Sequence, residues 1–346
     1  MSTLRTATLV AACLCAACVC ALFPATAPAI DGPEWQHALW VAGSLRDQPP
    51  TGPVALLLGG SCAREAVVND AGWAADVERL GGMRVTTYDL GSRLQTFEQD
   101  VALVKTLPKI PMIVFIGINA GRFASEPTTT TDVTPPAADP SFVRHHYRTA
   151  DAWSLERKRE RVAYWLDHRQ RLFNERFDAH AAQLDLLIGE CVSRGYVTVV
   201  LALPRDIDAM AGDLDEANSR YLTTGRRLAE KHGARFLDFV PDARLSSDDF
   251  YDLDHLVQSG REVYQAWLAY ETALIFNAEQ GSATHAVASP SPASAVTSSA
   301  GGATAGRDYL WPVLFGVVLV GVVLGALRVR VRARRSRRTS GAGLTR

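Results

Sequence analysis

The chain has 346 residues, 47% hydrophobic and 21% charged, which excludes wholesale disorder and leaves room for one large domain with accessory segments. Its formal net charge of −1 conceals an asymmetry: eight arginines lie beyond Leu327 and one precedes residue 30, so residues 30–327 carry 27 Lys and Arg against 37 Asp and Glu. An acidic body with a basic tail excludes a nucleic-acid-binding domain, whose positive charge would sit on the folded part.

In chain order, residues 1–29 open with Arg5, continue through an uncharged run rich in Ala, Val, Leu and Cys, and end at Ala27-Pro28-Ala29. A small-x-small site after an apolar run predicts a secretory signal peptide; the alternative is a retained N-terminal anchor. Four of the six cysteines fall in this leader, leaving Cys62 and Cys191, too few for a disulfide framework, with their pairing open. Neither Cys-x-x-Cys nor His-Glu-x-x-His occurs, so no metal or other cofactor is expected.

Five short apolar runs then read as strands: residues 54–58, 84–88, 112–116, 197–201 and 234–239. Helical patterns lie between them, at 66–80 and 214–232. This β-α alternation predicts an α/β fold, a parallel sheet of about five strands with helices on both faces. The third and fourth strands are separated by about eighty residues, including an insertion over 122–177. Its first part, to Pro140, is Thr-, Pro- and Asp-rich loop; its second, 154–177, is helical, with Leu155, Val162, Leu166 and Phe173 on one stripe. Such an insertion serves either as a lid or partner surface or as a decorated surface hairpin.

Ligands of open parallel sheets gather at the carboxyl ends of the strands. The first strand is followed there by Gly59-Gly60-Ser61-Cys62-Ala63-Arg64-Glu65, the second by Asp89-Leu90-Gly91-Ser92, and the third by Gly117-Ile118-Asn119-Ala120. After the fifth comes Asp252-Leu253-Asp254-His255, ahead of a final helix. Each motif has a bland reading: Ser61 as a helix cap, Asn119 as a turn residue, Asp252 and His255 as caps, Asp254 as solvated or turn-forming. Arg64 suits either an acidic substrate group or a partner such as Glu65 or Asp70. The His145-His146 pair suits a substrate contact or a plain polar loop, and Cys62 reads as a small buried residue.

Beyond the domain, residues 281–306 are dominated by Ala, Ser, Thr, Pro and Gly and predict a flexible stalk. Residues 309–327 carry no charge, enough to cross a hydrocarbon core of about 30 Å. The arginines of the tail, 328–346, then predict a cytoplasmic end and an extracytoplasmic body at 30–280.

Taken together, Ser after a glycine-ended first strand, Gly after the second, Gly-x-Asn after the third and Asp-x-x-His before the last helix resemble the four blocks of the SGNH (GDSL-type) hydrolases, over about residues 52–275. The resemblance implies a flavodoxin-like three-layer α/β/α sandwich. It also implies ester hydrolysis or acyl transfer, with Ser61 as nucleophile, His255 as base and Asp252 orienting the imidazole. The oxyanion hole would combine the backbone N–H groups of Ser61 and Gly91 with the Asn119 side-chain amide. Two positions depart from the family pattern: Gly60 and Ala120 stand where the family has Asp, which moves the chain toward divergent, membrane-tethered members. The expected activity is that of a membrane-anchored serine esterase or O-acyltransferase acting on acyl groups of envelope glycan or lipid, with a membrane acyl-donor partner in the transfer case. The alternative, motivated by those departures, is a catalytically inactive surface module that binds a glycan or a partner protein.

Overall fold

The computed structural model describes residues 32–126, 133–140, 150–210, 212–242 and 245–287. In chain order these form α1 (Pro33–Asp47), β1 (Val54–Leu58), α2 (Ser61–Arg64), α3 (Asp70–Gly81), β2 (Thr86–Asp89), α4 (Phe97–Thr106), β3 (Met112–Ile118) and α5 (Ala120–Phe123). They continue with α6 (Leu155–His168), α7 (Gln170–Ser193), β4 (Val197–Ala202), α8 (Ile207–Met210), α9 (Asp215–His232), β5 (Arg235–Asp238), α10 (Phe239–Asp242), a 3-10 turn (Ser247–Asp249) and α11 (Gln258–Val287).

The five strands form one sheet in the order β2-β1-β3-β4-β5, with every pairing parallel. β1 and β3 are buried at every position, which is why they read as continuous apolar runs rather than alternating ones. Alternate residues feed two cores. Val54, Leu56, Leu58, Val114 and Ile116 pack with α1, α4, α7 and α9, whereas Ala55, Leu57, Ile113, Phe115 and Val199 pack with α3 and α11. The result is the predicted three-layer arrangement.

Chain order reverses about β1: the first crossover leads to β2 on one side, the next to β3 on the other. A crevice opens at such a switch point, beyond the carboxyl ends of β1 and β3. Register decides what faces it. Leu58 pairs with Ile116, so Ser61 and Asn119, each three residues farther on, arrive at the same level.

Three local differences from the sequence reading have clear causes. The helix expected over 66–80 starts later, as α3 at Asp70, where the Asn69 side chain accepts the Gly72 N–H at 2.7 Å; a separate short turn of helix, α2, precedes it at Ser61. The 154–177 helix is two, broken at Arg169. Of its expected stripe, Val162 and Phe173 are buried but Leu155 and Leu166 are exposed, because α6 turns inward the face of Lys158, Val162 and Trp165, spaced four and three residues apart. Finally, α11 runs to Val287, past the expected start of the stalk at Gly281; extending a formed helix costs little per residue.

α7 extends well beyond the insertion's expected end and buries Phe173, Phe177, Leu184, Leu187 and Ile188, making it the crossover helix into β4. The leader, His145 and His146, the stalk from residue 288, the 309–327 segment and the basic tail lie outside the described residues. Among those described, no helix is long and apolar enough to cross a membrane.

Candidate active site

Ser61 is the first residue of α2, where Gly60 provides the cap; the hydroxyl is left out of helix capping and faces the crevice. Its Oγ lies 2.9 Å from His255 Nε2. On the other side of the ring, His255 Nδ1 lies 2.9 and 3.0 Å from the two oxygens of Asp252. Asp252 Oδ1 also accepts the backbone N–H groups of Asp254 and His255, at 3.1 and 3.0 Å, so the carboxylate is fixed before it orients the imidazole. Serine, imidazole and carboxylate thus form one hydrogen-bonded chain across almost two hundred residues.

The electrostatics follow from those contacts. Burial alone would raise the Asp252 carboxyl, but the His255 ring and the two backbone donors outweigh it and hold it below the usual carboxylate range. Burial alone would lower the His255 ring; the Cys62 sulfur and the Asp252 carboxylate more than offset it and push it well above its ordinary value. Burial and the Asp254 carboxylate push the Cys62 thiol up to about 12, so it is uncharged at neutral pH and the charges beside the ring are the carboxylates of Asp252 and Asp254. Cys62 is therefore neither the nucleophile nor half of a disulfide; it and Cys191 are both free and buried.

Of the expected oxyanion donors, the structure brings Asn119 to the site in an unexpected state. Asn119 caps α5: its Oδ1 accepts the Arg122 N–H at 3.1 Å, which turns Nδ2 toward the crevice. There Nδ2 lies 2.9 Å from Cys62 Sγ and donates to Asp254 Oδ2, also at 2.9 Å. Gly91 departs from its expected role: its N–H is taken by Asp89 Oδ1 at 3.0 Å. The glycine is needed for packing instead, since a Cβ there would lie 2.6 Å from the Arg64 backbone nitrogen.

Of the two readings of Arg64, the structure shows the ion pair with Glu65 and not a substrate contact. The side chain is buried, pairs with Glu34 and with Glu65 at 2.8 Å, and offers nothing to a substrate. Glu65 in turn pairs with Arg261 at 2.8 Å, tying the turn that bears Ser61 to the helix that follows His255. Sequence reasoning missed Arg122, whose buried guanidinium donates to Gly117 O at 2.7 Å and Asp100 Oδ2 at 2.6 Å and so anchors the turn bearing Asn119. It also missed Lys158, whose Nζ meets Asp206 Oδ2 and Ser247 Oγ, each at 3.0 Å, and the Ser247 carbonyl. Asp206 N–H donates to Leu253 O at 2.8 Å, and Trp153 N–H to Tyr251 O at 2.9 Å. With Leu253 packed against Val162, Ala209, Met210 and Leu214, the insertion clamps the loop carrying Asp252 and His255 rather than decorating a surface.

One trio of metal-capable groups occurs among the described residues: atoms of Cys62, Asp254 and His255 lie within 4.8 Å of one another. It suits a cation poorly, because the thiol resists ionisation and His255 Nε2 is committed to Ser61. A small hollow lined by Arg205, Asp206, Phe239, Ser247 and Phe250, among others, includes none of Ser61, Asp252 and His255.

No family model and no curated protein matches the chain. Among solved structures it is similar to a putative arylesterase from Agrobacterium tumefaciens, with TM-score 0.38 and 14% identity over 63% of this chain and 96% of that one. It is similar also to the acetylxylan esterase Axe2 from Geobacillus stearothermophilus, with TM-score 0.40 and 12% identity over 64% and 94%. A third likeness is to the psychrotrophic esterase EstA from a Pseudoalteromonas species, with TM-score 0.36 and 9% identity over 64% and 97%.

Proposed function

We propose that the chain is a divergent SGNH-type serine esterase. The observation that carries this reading is the continuous hydrogen-bonded chain Ser61 Oγ, His255 Nε2, His255 Nδ1, Asp252. A serine hydroxyl is a weak nucleophile until a base takes its proton, and a base 2.9 Å away is within reach. As Oγ attacks the ester carbonyl carbon, its proton passes to Nε2 and the carbonyl oxygen becomes an oxyanion facing Asn119. The imidazolium, stabilised by Asp252, then protonates the leaving alkoxide. Water, or a second alcohol, resolves the acyl-serine by the same steps in reverse. Which acceptor is used decides between esterase and O-acyltransferase.

The substrate in this reading is an acylated glycan or lipid of the cell envelope, reached from a membrane tether at residues 309–327 with the domain outside. The apolar, arginine-flanked segment and the signal-like leader support that placement. The test is p-nitrophenyl acetate turnover by the full chain beside Ser61→Ala. Serine-dependent turnover supports the proposal; equal rates, or none, count against it.

A second reading, a binding module without catalysis, is favoured by one observation: the Asn119 amide and the Gly91 N–H are both engaged within the protein. Loss of glycan binding on blocking the crevice, with no turnover by the wild type, would support it.

A further inference from the structure

Asp254 has no part in the triad, yet it lies in the crevice. Its Oδ2 holds the Asn119 amide at 2.9 Å, and its Oδ1 lies 3.3 Å from His255 Nδ1. Its side chain remains 27% exposed, so a bound substrate can touch it. The groups that face it are Asp252 and His255 from its own loop, Cys62 from α2, Tyr221 from α9 and, at longer range, Arg161 from α6. His255 is its only ion-pair partner among the described residues. Arg161 is exposed, with its guanidinium 4.7 Å from the Tyr164 ring.

Catalysis requires His255 to begin neutral, and in that state no cation among the described residues pairs with Asp254. The carboxylate then sits on the very amide that the oxyanion needs. An uncharged ester must displace it and develop negative charge beside it, which is unfavourable where the dielectric is low. A substrate ammonium reverses both effects: it draws the carboxylate off Asn119 and neutralises it.

We propose that Asp254 is a specificity-determining residue that selects esters carrying an ammonium group close to the scissile carbonyl, as in an α-aminoacyl ester. The proposal rests on the esterase reading of the same site. The substrate's cation completes the oxyanion hole: Asp254 turns to the ammonium and the Asn119 amide turns to the carbonyl oxygen.

The experiment compares the 4-nitrophenyl esters of alanine and of isobutyric acid, an isosteric pair differing by ammonium against methyl. The full chain, Asp254→Asn and Ser61→Ala are assayed, and each rate is normalised to that ester's hydrolysis by hydroxide. The wild type should prefer the alanyl ester by about tenfold or more in kcat/KM. Asp254→Asn should bring that ratio near one and raise isobutyryl turnover. Serine-dependent turnover without an ammonium preference in the wild type, or with the same preference in Asp254→Asn, overturns this proposal and leaves the esterase reading standing. Absence of Ser61-dependent turnover of either ester overturns both. If Asp254→Asn does not fold, the wild-type ratio decides, together with inhibition of isobutyryl turnover by alanine methyl ester but not by methyl isobutyrate.

Discussion

Replacing Lys158 by Met separates the clamp on the catalytic loop from the catalysis itself. Lys158 is 0% exposed and its partner Asp206 2%, so solvent does not screen the pair. Removing the ammonium leaves a buried carboxylate and the Ser247 hydroxyl, 2.5 Å from it, without their cation. Breaking one side of a buried ion pair costs about 3–5 kcal/mol. For a domain of this size each kcal/mol moves Tm by roughly 2–4 °C, so the variant should melt roughly 6–20 °C lower. Because Asp206 also holds Leu253 through its backbone, loosening it should lower kcat more than it raises KM. The assay is calorimetric or urea unfolding beside p-nitrophenyl acetate kinetics at a temperature where the variant is folded. Lys158→Met with Asp206→Leu should recover much of the stability, since no charge is then stranded. A single variant costing under about 1 kcal/mol, or a double variant costing the sum of the two singles, would show that Lys158 and Asp206 are not coupled as a buried ion pair.

Four further outcomes follow from the site. Asp252→Ala and His255→Ala should each lower kcat by on the order of 10³–10⁴ with the fold intact by circular dichroism. Activity should fall on the acid side as His255 gains its proton; because that ring is held above its ordinary value, the midpoint of the pH–rate profile should lie above about 6.5. Iodoacetamide at neutral pH should leave Cys62 unmodified, its thiol being pushed up to about 12, and Cys62→Ser should keep most of the activity. Gly91→Ala should destabilise by about 1–3 kcal/mol or more in urea unfolding, because the added methyl meets the Arg64 backbone.

What was legible in the sequence was whatever local pattern dictates. The run at 54–58 is β1 residue for residue, since five consecutive apolar residues bounded by Pro and Gly have few other outcomes. Ser61, Asp252 and His255 were readable because strand ends in a parallel sheet converge on one rim. α1 was missed although Trp35, Leu39 and Leu45 are buried; it lies between the leader and the first strand, where no motif draws notice. The clamp was not readable, because Lys158 meets Asp206 at a separation of 48 residues and Ser247 at 89, and nothing local marks them as partners. Asp254 was visible as a residue but not as a contact: one position along the loop turns a side chain from solvent to the Asn119 amide. Gly91 was placed correctly at the rim and given the wrong task, because its N–H finds Asp89 two residues earlier.

The most direct measurement is peptide mapping after the full chain reacts with a fluorophosphonate. A single adduct is expected, on the peptide bearing Ser61, formed slowly or not at all in His255→Ala. An unmodified Ser61 beside a folded protein, or an adduct on another serine such as Ser92 or Ser247, would contradict it.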